Sequence, residues 1–226
     1  MHPTLQRDIF QWDVRSWSRA LPAWEGALDA GKPLNALAIG ERGGGLGLLL
    51  AMHGAQVLCT DLGPMPTAAV ALHQRYNVQE RITYGTEDAT SLSAADATYD
   101  TVIFKSVIGA LGDKSRQMKA ISEMHRVLKP GGMLLFAENL SGTRLHTMLR
   151  HRFTRWQGYW RYLHWPADRD LFEAFADVRT GTTGFLANLG RTENQRDLLA
   201  RLDAVLCNLV PSPWHCILYG VCTKAR

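Results

Sequence analysis

Residues 34–61, LNALAIGERGGGLGLLLAMHGAQVLCTD, decide the fold. The stretch opens on a short apolar run, Leu34 to Ile39, that reads as a buried strand. A glycine cluster follows at once, Gly40-Glu41-Arg42-Gly43-Gly44-Gly45. An apolar helix comes next, Leu46 to His53, stopped by Gly54, and a second strand from Gln56 to Thr60 ends at Asp61. A strand that runs straight into glycines and then a helix lets the backbone approach a ligand closely, and the helix start offers free N–H donors. The dinucleotide fingerprint GxGxxG does not fit. Counted from Gly40 the second position is Arg42, and counted from Gly43 the last is Leu48. The P-loop pattern is absent as well.

Working outward, strand and helix keep alternating. Thr67 to Tyr76 reads as a helix, and Ile82-Thr83-Tyr84 as a strand leading to Glu87-Asp88-Ala89. Thr101 to Phe104 is a strand, followed by a helix from Lys114 to Leu128. Pro130-Gly131-Gly132 ends that helix and starts a strand from Met133 to Ala137. This spacing implies crossover units and a parallel sheet with helices on both faces. Asp61 just past the second strand suits both ribose hydroxyls of an adenosine ligand. Asp88 just past the third suits the adenine amino group. Either aspartate alone also fits a helix cap. With the glycine loop, all three meet at one sheet edge.

The flanks read differently. Before the core, residues 4–21 carry Leu5, Ile9, Trp12, Trp17 and Ala20 near helical spacing, and Pro22 is expected to end that helix. After residue 140, Leu145, Leu149, Trp156, Trp160 and Leu163 form a helical stripe closed by Pro166. A short helix is expected at Phe172–Ala176 and a strand at Val178–Thr183. Thr192 to Gln195 resembles a capping box opening a helix through Leu198, Leu202, Val205 and Leu209. Trp214 to Thr223 reads as the last strand.

Composition sets the outer bounds. The 226 residues fit one domain. An apolar share of 46% with 20% charged residues excludes disorder. The near-apolar run Leu46 to Met52 is far short of the ~20 residues of a membrane span. The first residues carry Asp8 and no apolar segment, so no secretory signal is expected. The 4 cysteines form no CxxC pair, which points to free thiols in a reducing cytoplasm and to no metal site. Net charge is +4, but residues 144–169 alone hold six arginines against the single acid Asp168. The basicity is local and speaks of a partner or substrate surface.

At residues 34–140 the chain resembles the class I S-adenosylmethionine-dependent methyltransferases. ALAIGERGGGLGLLLAMHGAQVLCTD is similar to that family's first motif, EDATSL to its adenine-side motif, and HRVLKPGGMLLFAEN to a later one, with LKPGG the most specific segment. The resemblance implies a Rossmann-like α/β fold: a doubly wound, mostly parallel seven-stranded sheet with a helical insertion after strand 5. It implies a single domain, with residues 1–30 as an N-terminal helical lid, 31–140 as the cofactor-binding core, and 141–226 as a helical cap with the C-terminal strands. Carried over residue by residue, Gly40, Glu41, Gly43 and Gly44 would wrap the methionine end of S-adenosylmethionine. Asp61 would hold the ribose, Leu62 would pack on the adenine, Asp88 and Ala89 would bind its edge, and Lys105 would lie near the sulfonium. Two positions depart from the pattern. Ala38 stands where the family usually has an acid, and Arg42 where its loop has a second glycine. Glu41 is adjacent and able to replace the missing charge.

The function this implies is methyl transfer to a small-molecule or saccharide acceptor, at oxygen rather than nitrogen. A base is needed only where the acceptor must lose a proton during attack. Glu138 and His146, just past the fifth strand, are the candidates, each with an equally simple structural role. The alternatives are a cofactor-binding protein without turnover and a nicotinamide-dependent oxidoreductase, which the failed fingerprint disfavours. Residues 141–165, rich in arginine and aromatic rings, read as an acceptor cap, as a peripheral membrane contact, or as a core-covering helix. Nucleic acid is disfavoured as a partner.

Overall fold

The computed structural model describes residues 1–28, 34–153 and 159–226. Its centre is a seven-stranded sheet of β1 (Asn35–Ile39), β2 (Gln56–Asp61), β3 (Ile82–Thr86), β4 (Tyr99–Lys105), β5 (Leu128–Asn139), β6 (Asp177–Thr183) and β7 (Ile217–Thr223). The order is β3-β2-β1-β4-β5-β7-β6. β1 to β5 pair in parallel, and β7 lies antiparallel between β5 and β6. This is the doubly wound, mostly parallel sheet that the alternation implies. The order turns between β1 and β4, where a ligand crevice opens in such sheets.

Each face of the sheet has its own core. Ala36, Leu37, Ala38 and Ile39 of β1 are all buried, as expected of a strand covered on both sides. Ala36 and Ala38 face α4 (Gly45–Met52) and the N-terminal tryptophans, in a layer with Leu46, Leu48, Leu49, Leu50, Trp17 and Trp24. Leu37 and Ile39 face the other way, in a layer with Phe104, Phe136, Phe172 and the apolar side of α6 (Lys114–Val127). α5 (Thr67–Arg75) links β2 to β3.

The N-terminal segment is not the single helix that spacing predicts. It folds as α1 (Pro3–Phe10), α2 (Val14–Trp17) and α3 (Leu21–Ala27). Gln11 and Asp13 take left-handed φ values of 67° and 45° on either side of Trp12, which makes a hook between α1 and α2. Pro22 opens α3 instead of ending a helix, because its missing N–H falls in a first turn where none is needed. Tertiary burial decides this. Phe10, Trp17 and Trp24 are all fully buried, each ring worth about 1.5–3 kcal/mol, which outweighs helix propensity. The indole of Trp24 donates to the Gly220 carbonyl on β7 at 3.2 Å.

The second half brings further corrections. Pro130-Gly131-Gly132 lies inside β5 instead of ahead of it, and the ladder to β4 slips between Tyr99 and Thr101. α7 spans Arg144–Phe153, and Trp156 lies outside the described residues. Trp160 and Leu163 sit on an irregular segment whose Leu163 bridges Leu140, so they reach the interior from a loop. The helix expected at 172–176 is a 3-10 turn at Arg169–Phe172. α8 (Glu193–Leu206) begins with the expected capping box between Thr192 and Gln195. Its stripe of Leu198, Leu202 and Val205 faces solvent, as does Leu209 just beyond. The opposite side holds α8 in place, where the buried carboxylate of Asp203 accepts the main-chain amides of Phe185, Leu186 and Ala187 at 2.8, 2.8 and 2.9 Å. Among the described residues no helix is long and apolar enough to cross a membrane.

Candidate cofactor and acceptor site

A cavity of about 670 Å³ opens over the carboxyl ends of β1, β2, β4 and β5, within the size range of small-ligand clefts. The glycine loop forms its floor. Gly40 ends β1 with φ 73°, and a Cβ there would lie 2.4 Å from Val107 Cγ2, so no other residue fits. Positive φ in this loop falls on Gly40 and Gly44, so Arg42 occupies its place without left-handed strain. Gly40, Glu41 and Arg42 line the cavity. Gly43 and Gly44 instead pack against the protein. Gly43 abuts the Gln11 side chain, and the Gly44 carbonyl lies 2.8 Å from His73 Nε2. The carbonyl must accept, so Nε2 carries the hydrogen and His73 Nδ1 accepts from the Tyr84 hydroxyl at 2.8 Å.

Glu41 is buried just after β1. Its Oε2 accepts the Gly47 amide in the first turn of α4 at 2.9 Å. Burial pushes the carboxyl up to about 7, opposed by that amide and by Lys105. Gly47 itself is required, since a Cβ would lie 2.0 Å from Cys59 Sγ.

Beyond β2 and β3 the lining is acidic. Asp61 accepts the Leu62 amide at 2.9 Å. Leu62 is 72% exposed at the rim. One oxygen of Asp88 accepts the amide and the hydroxyl of Thr90, both at 2.8 Å, and these bonds hold its pKa below the ordinary carboxylate range. Ala89 is buried beside it.

Beyond β4 and β5 the lining is aromatic and basic. The Lys105 ammonium lies 4.7 Å from the Trp12 ring centre and 4.9 Å from that of Trp17. Burial lowers its pKa to about 8, against the pull of Glu41, Glu138 and Asp13. Asn139 donates to Ser106 Oγ at 2.7 Å. The Arg150 guanidinium stacks 4.2 Å from the Tyr162 ring centre, bonds the Leu140 and Ser141 carbonyls at 2.8 and 2.9 Å, and meets Asn188 at 3.2 Å. Arg196 lies 5.9 Å from the Trp12 ring centre. Burial pushes the Asp13 carboxyl up to about 7.

The two candidate bases stand elsewhere. Glu138 is fully buried, and its carboxylate accepts the amides of Val107, Gly109 and Asn139 at 2.9, 3.3 and 2.7 Å. It fixes the loop after β4. His146 accepts at Nδ1 from Thr143 and reaches the Phe185 carbonyl through Nε2 at 2.8 Å, which ties α7 to the segment before α8. Neither lines the cavity. Sequence reasoning missed Asp13 and Arg196, since nothing local announces a hook or the helix face that meets it. Arg150 carried a signal, the arginine cluster, but not a direction.

Residues 37–136 match the family described as a methyltransferase domain. Over this stretch, which is under half of the 226 residues, the chain is similar to that family. Over 127 residues the chain is 30% identical to a demethylmenaquinone methyltransferase of Bacteroides fragilis, covering 55% of this chain and 49% of that protein. The chain thus spans about half the length of the curated relatives it matches. The fold superposes on phosphoethanolamine N-methyltransferase 2 of Haemonchus contortus with a TM-score of 0.63 at 18% identity, covering 93% of this chain and 53% of that one. It also superposes on the cyclase SpnF with a TM-score of 0.61 at 17% identity, covering 94% and 81%. Likeness at these identities establishes the fold, and one fold hosts more than one reaction, so the chemistry must be argued from the site.

Proposed function

We propose that this chain binds S-adenosylmethionine in the cavity and transfers its methyl group to a small-molecule acceptor, at oxygen rather than nitrogen. The observation that carries this reading is the division of one cavity by the strand order. Acids stand beyond β2 and β3, the glycine loop and Glu41 beyond β1, and an aromatic and basic chamber of the same cavity beyond β4 and β5. The adenosine end fits the first part: Asp61 would take the ribose hydroxyls, Leu62 the adenine face, and Asp88 with Ala89 its edge. Gly40 and Glu41 would hold the methionine end, with the Glu41 carboxylate on its ammonium.

The bound cofactor supplies an electrophilic methyl on a good leaving group. The protein's share is alignment and exclusion of water. Trp12, Tyr159, Trp160 and Tyr162 line the second part of the cavity. Lys105, Arg150 and Arg196 attract an anionic oxygen, which supports the oxygen target. Titration calorimetry of the full chain tests the reading. S-adenosylmethionine and S-adenosylhomocysteine should bind and NADH should not; an absence of binding by both sulfur compounds overturns it.

A further inference from the structure

We propose that the chamber beyond β4 and β5 selects an organic anion as the acceptor, held through Lys105, Arg150 and Arg196 against the rings of Trp12, Trp160 and Tyr162. The inference rests on the methyltransferase reading and gives it a substrate class.

Three observations carry it. First, the cations are built in. Lys105 is clamped between two indoles at 4.7 and 4.9 Å, Arg196 approaches one of the same indoles, and Arg150 is 6% exposed with its guanidinium fixed by two carbonyls and stacked on Tyr162. Cations held this way are positioned before any ligand arrives and lose little freedom on binding. Second, Trp160 and Tyr162 line this chamber beside the cations, with the indole Nε1 of Trp160 packed over Gly109. Third, the carboxyls on this side offset the cations only in part. Burial pushes Glu41 and Asp13 up to about 7 and raises Glu138 as well, toward the neutral acid, whereas an arginine stays charged at physiological pH. Glu193 lies 3.7 Å from Arg196, but its two oxygens also accept the Asp13 and Val14 amides.

An anionic acceptor also accounts for the positions of Glu138 and His146. When an anionic oxygen attacks, the oxygen–carbon bond forms as the carbon–sulfur bond breaks, and the electron pair of the broken bond stays on sulfur. The negative charge on oxygen and the positive charge on sulfur vanish together, and no proton has to move. A base in the cavity is then unnecessary. A step in which opposite charges disappear gains wherever the site excludes water.

The test uses the full chain saturated with S-adenosylhomocysteine and titrated with matched pairs of aromatic and medium-chain carboxylates and their carboxamides, which share shape and differ in charge. Phenyl phosphate joins as a second anion. The expected result is at least tenfold tighter binding of the anions than of the amides. In Lys105→Met and Arg196→Gln that ratio should fall toward one while the amides bind as before, which also shows that the chamber is intact. Amides binding as tightly as acids, no anion binding up to its solubility limit, or a ratio unchanged in both variants would each overturn the proposal. A protein that fails to bind S-adenosylhomocysteine at the outset fails the methyltransferase reading itself, and that is a different result from binding it and refusing the anions.

Discussion

Glu193, at the start of α8, accepts the main-chain amides of Asp13 and Val14 at 2.8 and 2.9 Å, 180 and 179 positions away in the chain. This carboxylate anchors the hook that carries Trp12 over Lys105. It satisfies amides at the start of α2, which is too short to satisfy them itself. The cavity therefore has a wall whose two halves come from opposite ends of the sequence.

Glu193→Ala should loosen that wall. Hydrogen bonds to a charged group are worth about 1.5–3 kcal/mol each, and partial exposure of Glu193 trims the pair to a total of about 2–3 kcal/mol. Urea denaturation should show a lower midpoint with an unchanged slope. S-adenosylhomocysteine should dissociate faster, because the hook lines its cavity. Unchanged stability together with unchanged dissociation would mean that the hook holds its place without Glu193.

Asp61→Ala probes the adenosine end. If both ribose hydroxyls donate to this carboxylate, its loss removes two charge-assisted bonds and should weaken S-adenosylhomocysteine binding about 100-fold or more. Thermal stability should barely move, since Asp61 is half-exposed and its local partner is its neighbour Leu62. An affinity change of less than threefold would place the ribose elsewhere.

The pH dependence follows from Glu41. Its carboxyl titrates at about 7 in the folded chain against an ordinary value of 4.5. A cationic ammonium binds the ionised form, so affinity for S-adenosylhomocysteine should rise as pH climbs through about 7. Stability of the ligand-free chain should run the other way. A carboxyl raised in the folded state contributes fully below about 4.5, and that contribution is lost as pH rises through about 7. Asp13, raised from 3.8 to about 7, adds to the same trend. Glu41→Gln should flatten the affinity profile between pH 6 and 8. An identical profile in that variant would assign the ammonium to another group.

Much of this was legible in the sequence, for local reasons. β1, the glycine loop, α4 and β2 are consecutive, so their order and the position of Asp61 follow from the pattern of apolar residues and breakers in one short stretch. The capping box of α8 was readable for the same reason. What resisted reading depends on contacts distant in sequence. The break at Gln11–Asp13 is driven by burial of Phe10, Trp17 and Trp24 against the sheet and by Glu193. The outward face of α8 follows from Asp203 binding three amides of a preceding loop, which no helical periodicity reveals. Glu138 stood at the right strand end for a base, yet strand alternation turned its side chain into the loop and placed Asn139 toward the cavity.

Two neighbouring glycines separate packing of the hook from packing of the helix beneath it. A Cβ at Gly45 would lie 2.1 Å from the main-chain oxygen of Ile9 and 2.7 Å from that of Asp8, so α1 rests directly on the start of α4. A Cβ at Gly43 would instead meet the amide end of the Gln11 side chain at 1.8 Å. The first contact is backbone and cannot yield without moving α1; the second is the tip of a flexible side chain that can swing aside. Gly45→Ala should therefore destabilise the chain by about 2–4 kcal/mol, at or above the usual range for overpacking a core, and increase proteolysis between α1 and α3. Gly43→Ala should cost under about 1 kcal/mol. Since Gln11 lines the cavity, it should still alter affinity for S-adenosylhomocysteine by a few-fold. Thermal melts and limited proteolysis of the two variants side by side decide this, and equal melting temperatures would show that α1 is not seated on α4 through Gly45.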